Sequence, residues 1–419
     1  MKKKYLLLKV IRFIIAILLF LILGILLILV STKMASKSSV YSSFPSVLYL
    51  LYLLLYLPIL FAGIWCLSYI NKKLRVLFPE KYPPRGAITK KRLCKIASKT
   101  VLFWVISIAV ILLIAPFGII YVMTNQYVYY HNDSLLQMTY SASDFNLREN
   151  VLSLVTEDDV NIWASEITVE NPKAIVIFLT GIQQPSITQF YPHAKLLMNN
   201  GYASILLEVR GHGRSDGNKI CLGYDEILDV KATIDYIKSK NGYKNIPIVI
   251  QGVSMGGAVA TNAFGQFEEI NALIAMSTYT TFQEVLIDNL EYYNVPDFLC
   301  TIEKPLFKLA LCANFGVAKV NTMNPMTQIQ NSNNRPIFLI ASSGDTSVPV
   351  DHTKKLYELS DNSELWIRDT WEHFIVKDCD LIHVADDKEY CNKILGFLEK
   401  VVMNINNNKY IKRSSARCR

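Results

Sequence analysis

Three side chains far apart in the sequence have the types and settings needed for acyl chemistry. Ser254 lies in Gly252-Val253-Ser254-Met255-Gly256-Gly257, Asp345 in Ser343-Gly344-Asp345-Thr346-Ser347-Val348-Pro349, and His373 in Trp371-Glu372-His373-Phe374. A serine hydroxyl is a weak nucleophile. It needs a base within hydrogen-bond reach, and the base needs a buried carboxylate to hold its ring and stabilise its charged form. Such a trio would attack an ester-type carbonyl and pass through an acyl-enzyme. His383 is a competing base, but no strand end precedes it; Glu372 and Asp378 are alternative acids. His212, in Arg210-Gly211-His212-Gly213-Arg214-Ser215-Asp216-Gly217, belongs to a tight loop read as structural, held by Arg210 and Ser215.

The elements around these residues explain how they would meet. An apolar run, Ile246 to Ile250, leads into Ser254, and small residues compatible with a helix, Gly256 to Phe264, lead out. Strand, sharp turn and helix in that order hold a serine at the carboxyl edge of a sheet, above the free N–H groups of a helix N-terminus. Further buried strands are predicted at Ala174–Leu179, Ala203–Leu207, Ala272–Met276, Ile337–Ala341 and Leu365–Ile367. An antiparallel entry pair is predicted at Leu152–Thr156 and Val160–Thr168, and the clearest helix covers Tyr224–Lys240. Near-continuously apolar strands alternating with helices predict an α/β fold whose mostly parallel sheet is covered on both faces. Ser254, Asp345 and His373 each fall just past a strand's carboxyl end, where parallel-sheet sites are built. Between Ser277 and Arg335 one crossover helix would suffice for nearly 60 residues of apolar and aromatic sequence, so a cap is expected at about 278–335.

Charge divides the 419-residue chain. Residues 1–126 carry 17 Lys and Arg against one acid, Glu80, whereas residues 127–419 carry 26 against 34. The net +8 is thus a property of the first third, where the basic residues border apolar runs, and nucleic-acid binding is a poor account of it. Three runs lack charge altogether: Phe13–Val30, Ser46–Ile70 and Thr100–Met123. Each is long enough to cross a hydrocarbon core of about 30 Å as a helix. Three transmembrane helices are therefore expected, at about 5–30, 46–70 and 100–123. Ten Lys and Arg in 71–99, against two in 31–45 and none from 100 to 147, place the N-terminus in the cytoplasm and everything after Met123 outside it. The remaining organisation expected is a tether over 127–150, a catalytic domain over 151–403 and a basic tail over 404–419. Cysteines on the outer side permit disulfides, with Cys300–Cys312 and Cys379–Cys391 the shortest candidates. No clustered His and Cys suggests a metal.

The motifs at 210–217, 252–257, 343–349 and 371–374 together resemble those of the α/β-hydrolase superfamily, and within it the lysophospholipase and monoglyceride-lipase-like branch. The resemblance covers about 151–402. It implies an eight-stranded sheet with a small cap, Ser254 as nucleophile, Asp345 as acid, His373 as base, and no cofactor. It also implies oxyanion donors at the N–H groups of Met255 and Ile182. The family usually has His-Gly where this chain has Thr180-Gly181, and Asp where it has Glu208. The expected activity is a membrane-anchored serine hydrolase acting on a small-molecule or lipid ester, with membrane lipids as the other partner. An acyltransferase or peptidase with the same triad, and a non-catalytic hydrolase-like module serving a membrane partner, are the alternatives.

Overall fold

The computed structural model describes residues 10, 67–74, 76–77, 115–129, 140–184, 186–292 and 297–417. The three apolar runs lie outside these residues apart from the ends of the second and third. Among the described residues no helix is long and apolar enough to cross a membrane. The chain divides into two compact units. One comprises residues 1–123 with 295–307, and its described residues are helical; the other comprises 124–294 with 308–419 and holds the sheet.

That sheet has eight strands: β1 (Asn150–Val155), β2 (Asn161–Ile167), β3 (Ile175–Leu179), β4 (Ala203–Leu207), β5 (Ile248–Val253), β6 (Ile270–Met276), β7 (Ile337–Ser342) and β8 (Ser363–Arg368). Their spatial order is β1-β2-β4-β3-β5-β6-β7-β8. β2 pairs antiparallel with both β1 and β4, and every other pairing is parallel. All eight strands fall where the apolar runs predict them. Every residue of β3, β4, β5 and β7 is buried, so both faces of the sheet's centre are covered, as unbroken Ile, Val and Leu runs require.

The chain order reverses beside β3: one connection leads from β3 to β4 on one side, and β5 then returns to the other side. The carboxyl ends of β3 and β5 therefore border a crevice that no crossover fills. Leu179 pairs with Gly252, Val253 with Met276, and Met276 with Ile340. Four successive neighbouring strands thus release their loops along one rim.

Residues 140–149, read as tether, pack on the unit that holds the sheet: Ala142 and Leu147 are buried in its core, and Tyr140 N–H donates to Thr188 Oγ1 at 3.1 Å. Their apolar content is too dispersed to show a period, so the burial has no local signature. The interval between β6 and β7 is helical, at Phe282–Tyr292, Asp297–Phe315, Val317–Thr322 and Pro325–Gln328. The last helix, Lys388–Arg417, continues through most of the stretch read as a tail. Cys221, Cys300, Cys312, Cys379 and Cys391 are all free thiols, so neither candidate disulfide is formed.

Candidate active site

β5 ends at Val253, and the helix Met255–Gln266 (α1) begins two residues later. Only Ser254 lies between them. It takes φ 56° and ψ −123°, a strained conformation for a residue with a side chain. Its N–H is fixed by donation to the Met276 carbonyl at 2.8 Å. The flanking glycines are steric requirements. A methyl group at Gly252 would lie 2.1 Å from the Gly256 carbonyl oxygen, and one at Gly256 would lie 2.4 Å from the Thr180 carbonyl oxygen. The start of α1 is thereby pressed directly against the backbone leaving β3. Replacing Gly256 with alanine must push these backbones apart, at a cost of about 1–3 kcal/mol in stability. We expect G256A to melt several degrees lower and to lose most Ser254 reactivity; an unchanged melting temperature would contradict this packing.

Asp345 and His373 meet. Asp345 Oδ2 lies 2.7 Å from His373 Nδ1. The other carboxylate oxygen accepts the N–H groups of Ser347 at 2.8 Å and Val348 at 3.1 Å, which leaves Oδ2 for the imidazole. A carboxylate can only accept, so the shared proton sits on Nδ1 and the Nε2 lone pair is free. The Asp345 side chain is 1% exposed and that of His373 is 19% exposed, so the carboxylate is sealed while the imidazole remains open to solvent on one side.

The base loop is latched to the same rim. Ser277 Oγ donates to the His373 carbonyl at 2.7 Å, and Ser342 Oγ to the Glu372 carbonyl at 2.6 Å. Ser254 and His373 consequently hang from consecutive residues at the end of β6: Met276 holds Ser254, and Ser277 holds His373. A methyl group at Gly181 would stand 3.5 Å from Ser254 Cβ and 3.8 Å from Phe374 Cζ, so the loops after β3, β5 and β8 converge on one point. Among the described residues no hydrogen bond joins Ser254 Oγ to His373. In ligand-free hydrolases that contact is commonly long and tightens with substrate bound.

The N–H groups expected as oxyanion donors, those of Met255 and Ile182, lie at the start of α1 and just past β3. Met255 is the first residue of α1, so no carbonyl within the helix can take its N–H. Ile182 follows β3, and none of the hydrogen bonds among the described residues engages its N–H. The competing residues lie elsewhere. His383 is two-thirds exposed and pairs with Asp380 at 2.7 Å. Glu372 Oε1 accepts the backbone N–H of Asp378 at 3.0 Å, and the carboxylate that meets His373 Nδ1 is that of Asp345.

The 210–217 loop is structural at Arg210 and Ser215, as expected. Arg210 bridges Asp158 at 2.6 Å and Asp229 at 2.8 Å. Its guanidinium holds the Asp158 carboxyl down at about 2. Burial is the larger influence on Asp229 and pushes its carboxyl up, while the hydrogen bonds and charge of Arg210 pull it back down. Ser215 Oγ accepts the Trp163 N–H at 2.8 Å and donates to the Glu208 carbonyl at 2.5 Å. The sequence did not signal what this segment does to the loop after β3. Glu208 accepts from Ser186 Oγ and from the Arg214 N–H, and His212 Nε2 accepts the Gln183 N–H at 3.3 Å. The only hint was an unusual density of glycine and charge beside a buried strand.

Residues 170–295 match the family model described as serine aminopeptidase, S33. Among curated relatives the chain is similar to Protein ABHD12B of Homo sapiens, 24% identical over 206 residues, covering 47% of this chain and 53% of that one. It is also similar to uncharacterized protein YqkD of Bacillus subtilis, 27% identical over 183 residues, covering 42% and 58% respectively. The matches thus span little more than half the length of either relative. Among solved structures it is similar to an esterase of Pyrococcus furiosus at 26% identity and TM-score 0.49, covering 62% of this chain and 94% of that one.

Proposed function

We propose that this chain, which has an α/β-hydrolase fold, is a serine hydrolase cleaving an ester-type substrate through an acyl-enzyme. The observation carrying this reading is the 2.7 Å Asp345–His373 pair on the rim that also holds the strained Ser254. A chain retaining only the fold would have no reason to spend a left-handed serine and a buried carboxylate on this edge.

The chemistry follows from the arrangement. Ser254 Oγ attacks the carbonyl carbon as His373 Nε2 takes its proton, and Asp345 stabilises the imidazolium. The carbonyl oxygen becomes an oxyanion held by the Met255 and Ile182 N–H groups, which are fixed before the charge develops and so need no reorganisation. The tetrahedral species collapses as His373 returns the proton to the leaving alkoxide. Water then attacks the acyl-enzyme by the same route, giving the acid and free Ser254.

The substrate class is proposed as an acyl-chain or lipid-like ester, on the apolar and aromatic content of the interval between β6 and β7. Anchoring by three apolar runs, with the catalytic unit outside the cytoplasm, is proposed on the asymmetry of Lys and Arg around them. The match to a model described as serine aminopeptidase favours a second reading, cleavage of an aminoacyl amide. A fluorophosphonate reporter is expected to label the full chain at Ser254. Turnover measured on p-nitrophenyl esters of graded chain length beside aminoacyl p-nitroanilides separates the readings. Hydrolysis of the anilides alone would replace the ester reading, and folded protein that does not label would defeat both.

A further inference from the structure

Gln183 has φ 58°, a left-handed conformation that a residue with a side chain keeps only where its surroundings impose it. Its N–H is donated to His212 Nε2 at 3.3 Å, and His212 Nδ1 stands 3.2 Å from the Arg210 carbonyl oxygen. A backbone N–H can only donate and a carbonyl can only accept. The two contacts therefore admit one form of the ring, with the proton on Nδ1 and the lone pair on Nε2. His212 is 6% exposed, and burial, the largest influence on it, pushes its pKa down and keeps the ring neutral.

The same loop is gripped at two other points. Gln189 Nε2 donates to Thr180 Oγ1 at 2.9 Å, and Ser186 Oγ donates to Glu208. Glu208 and His212 both belong to the segment that follows β4. Glu208 also accepts the backbone N–H of Ile187, but the grip at His212 acts nearer the site, one peptide beyond the Ile182 N–H.

We infer that His212 is a positioning residue for the oxyanion hole: its Nε2 lone pair pins the Ile182–Gln183 peptide and so sets the neighbouring Ile182 N–H. This rests on the reading of Ile182 as an oxyanion donor. His212 touches no reacting atom. A hydrogen-bond donor stabilises a developing charge only if already in place, so a loop free to rotate this peptide would give up part of that stabilisation. The ring also explains why the motif carries histidine between two glycines. Gly211 and Gly213, at φ 72° and 52°, turn the chain tightly enough to bring the ring inward against the loop after β3.

Two substitutions in the full chain separate the hydrogen bond from the packing. His212→Phe keeps a ring and removes the acceptor, whereas His212→Gln supplies an amide oxygen near the position of Nε2. The readouts are hydrogen exchange in the segment 181–186 and turnover of a p-nitrophenyl ester. Expected for His212→Phe are exchange faster by about tenfold or more, and kcat down by about 10- to 100-fold with KM within about threefold. His212→Gln is expected to restore slow exchange and most of kcat. Unchanged exchange in His212→Phe would overturn the inference, as would unchanged kcat, or equal loss in both variants, which would reveal a packing role. Absence of a fluorophosphonate label on the unsubstituted chain would instead defeat the serine-hydrolase reading, while the exchange comparison still decides whether His212 pins the loop.

Discussion

Ser254→Ala is expected to abolish turnover, lowering kcat by about 10⁶-fold, and to eliminate covalent labelling, while the protein stays folded. The loss should be this large because the hydroxyl is the only atom that can form the acyl-enzyme; without it only water and the oxyanion donors remain. Folding should survive because no hydrogen bond of the Ser254 side chain supports the turn. The strained conformation is held through the backbone, by donation to the Met276 carbonyl and by the two glycines. Alanine at this φ keeps the strain and removes only the oxygen. Kinetics with a p-nitrophenyl ester, beside a thermal melt, make the measurement. Residual activity above about a thousandth of the original would mean that another group is the nucleophile.

Asp345→Asn is expected to lower kcat by about 10⁴-fold with little change in KM. The asparagine oxygen can still accept the Ser347 and Val348 N–H groups, so the turn after β7 is preserved and stability should change little. The amide nitrogen would then face His373 Nδ1. Being a donor, it favours the imidazole form with its proton on Nε2, which cannot accept a proton from serine. The effect is one of protonation geometry, so at saturating substrate the loss should persist. A decrease of less than tenfold would assign the acid to another carboxylate. Glu372 is the first alternative, since it is buried and its Oε2 has no partner.

These two expectations differ in what they owe to the sequence. The serine elbow was legible because its constraints are local. A turn with one residue between strand and helix needs glycine at i−2 and i+2, and that requirement is written in five consecutive letters. The strands were equally plain, because burial on both faces leaves unbroken apolar runs. Asp345 and His373 were legible only as candidates following strand ends, each with rivals of the same chemical type nearby. Nothing within a few residues of His373 distinguishes Asp345, 28 positions upstream, from the adjoining Glu372.

By itself, then, the sequence determined the strand runs of a mostly parallel α/β sheet, the serine elbow and the set of groups from which a triad could be drawn. These are properties of short segments, governed by periodicity and local sterics. The tertiary structure decided the rest. It paired Asp345 with His373, left His383 at the surface with Asp380, and packed residues 140–149 into the core. It also set His212 against Gln183, two residues whose separation in sequence shows no sign that one holds the other. The physical reason is strand order. Parallel pairing brings the ends of β3, β5, β6, β7 and β8 side by side although the chain visits them over nearly 200 residues, and contacts created by that adjacency leave no trace in any window of sequence.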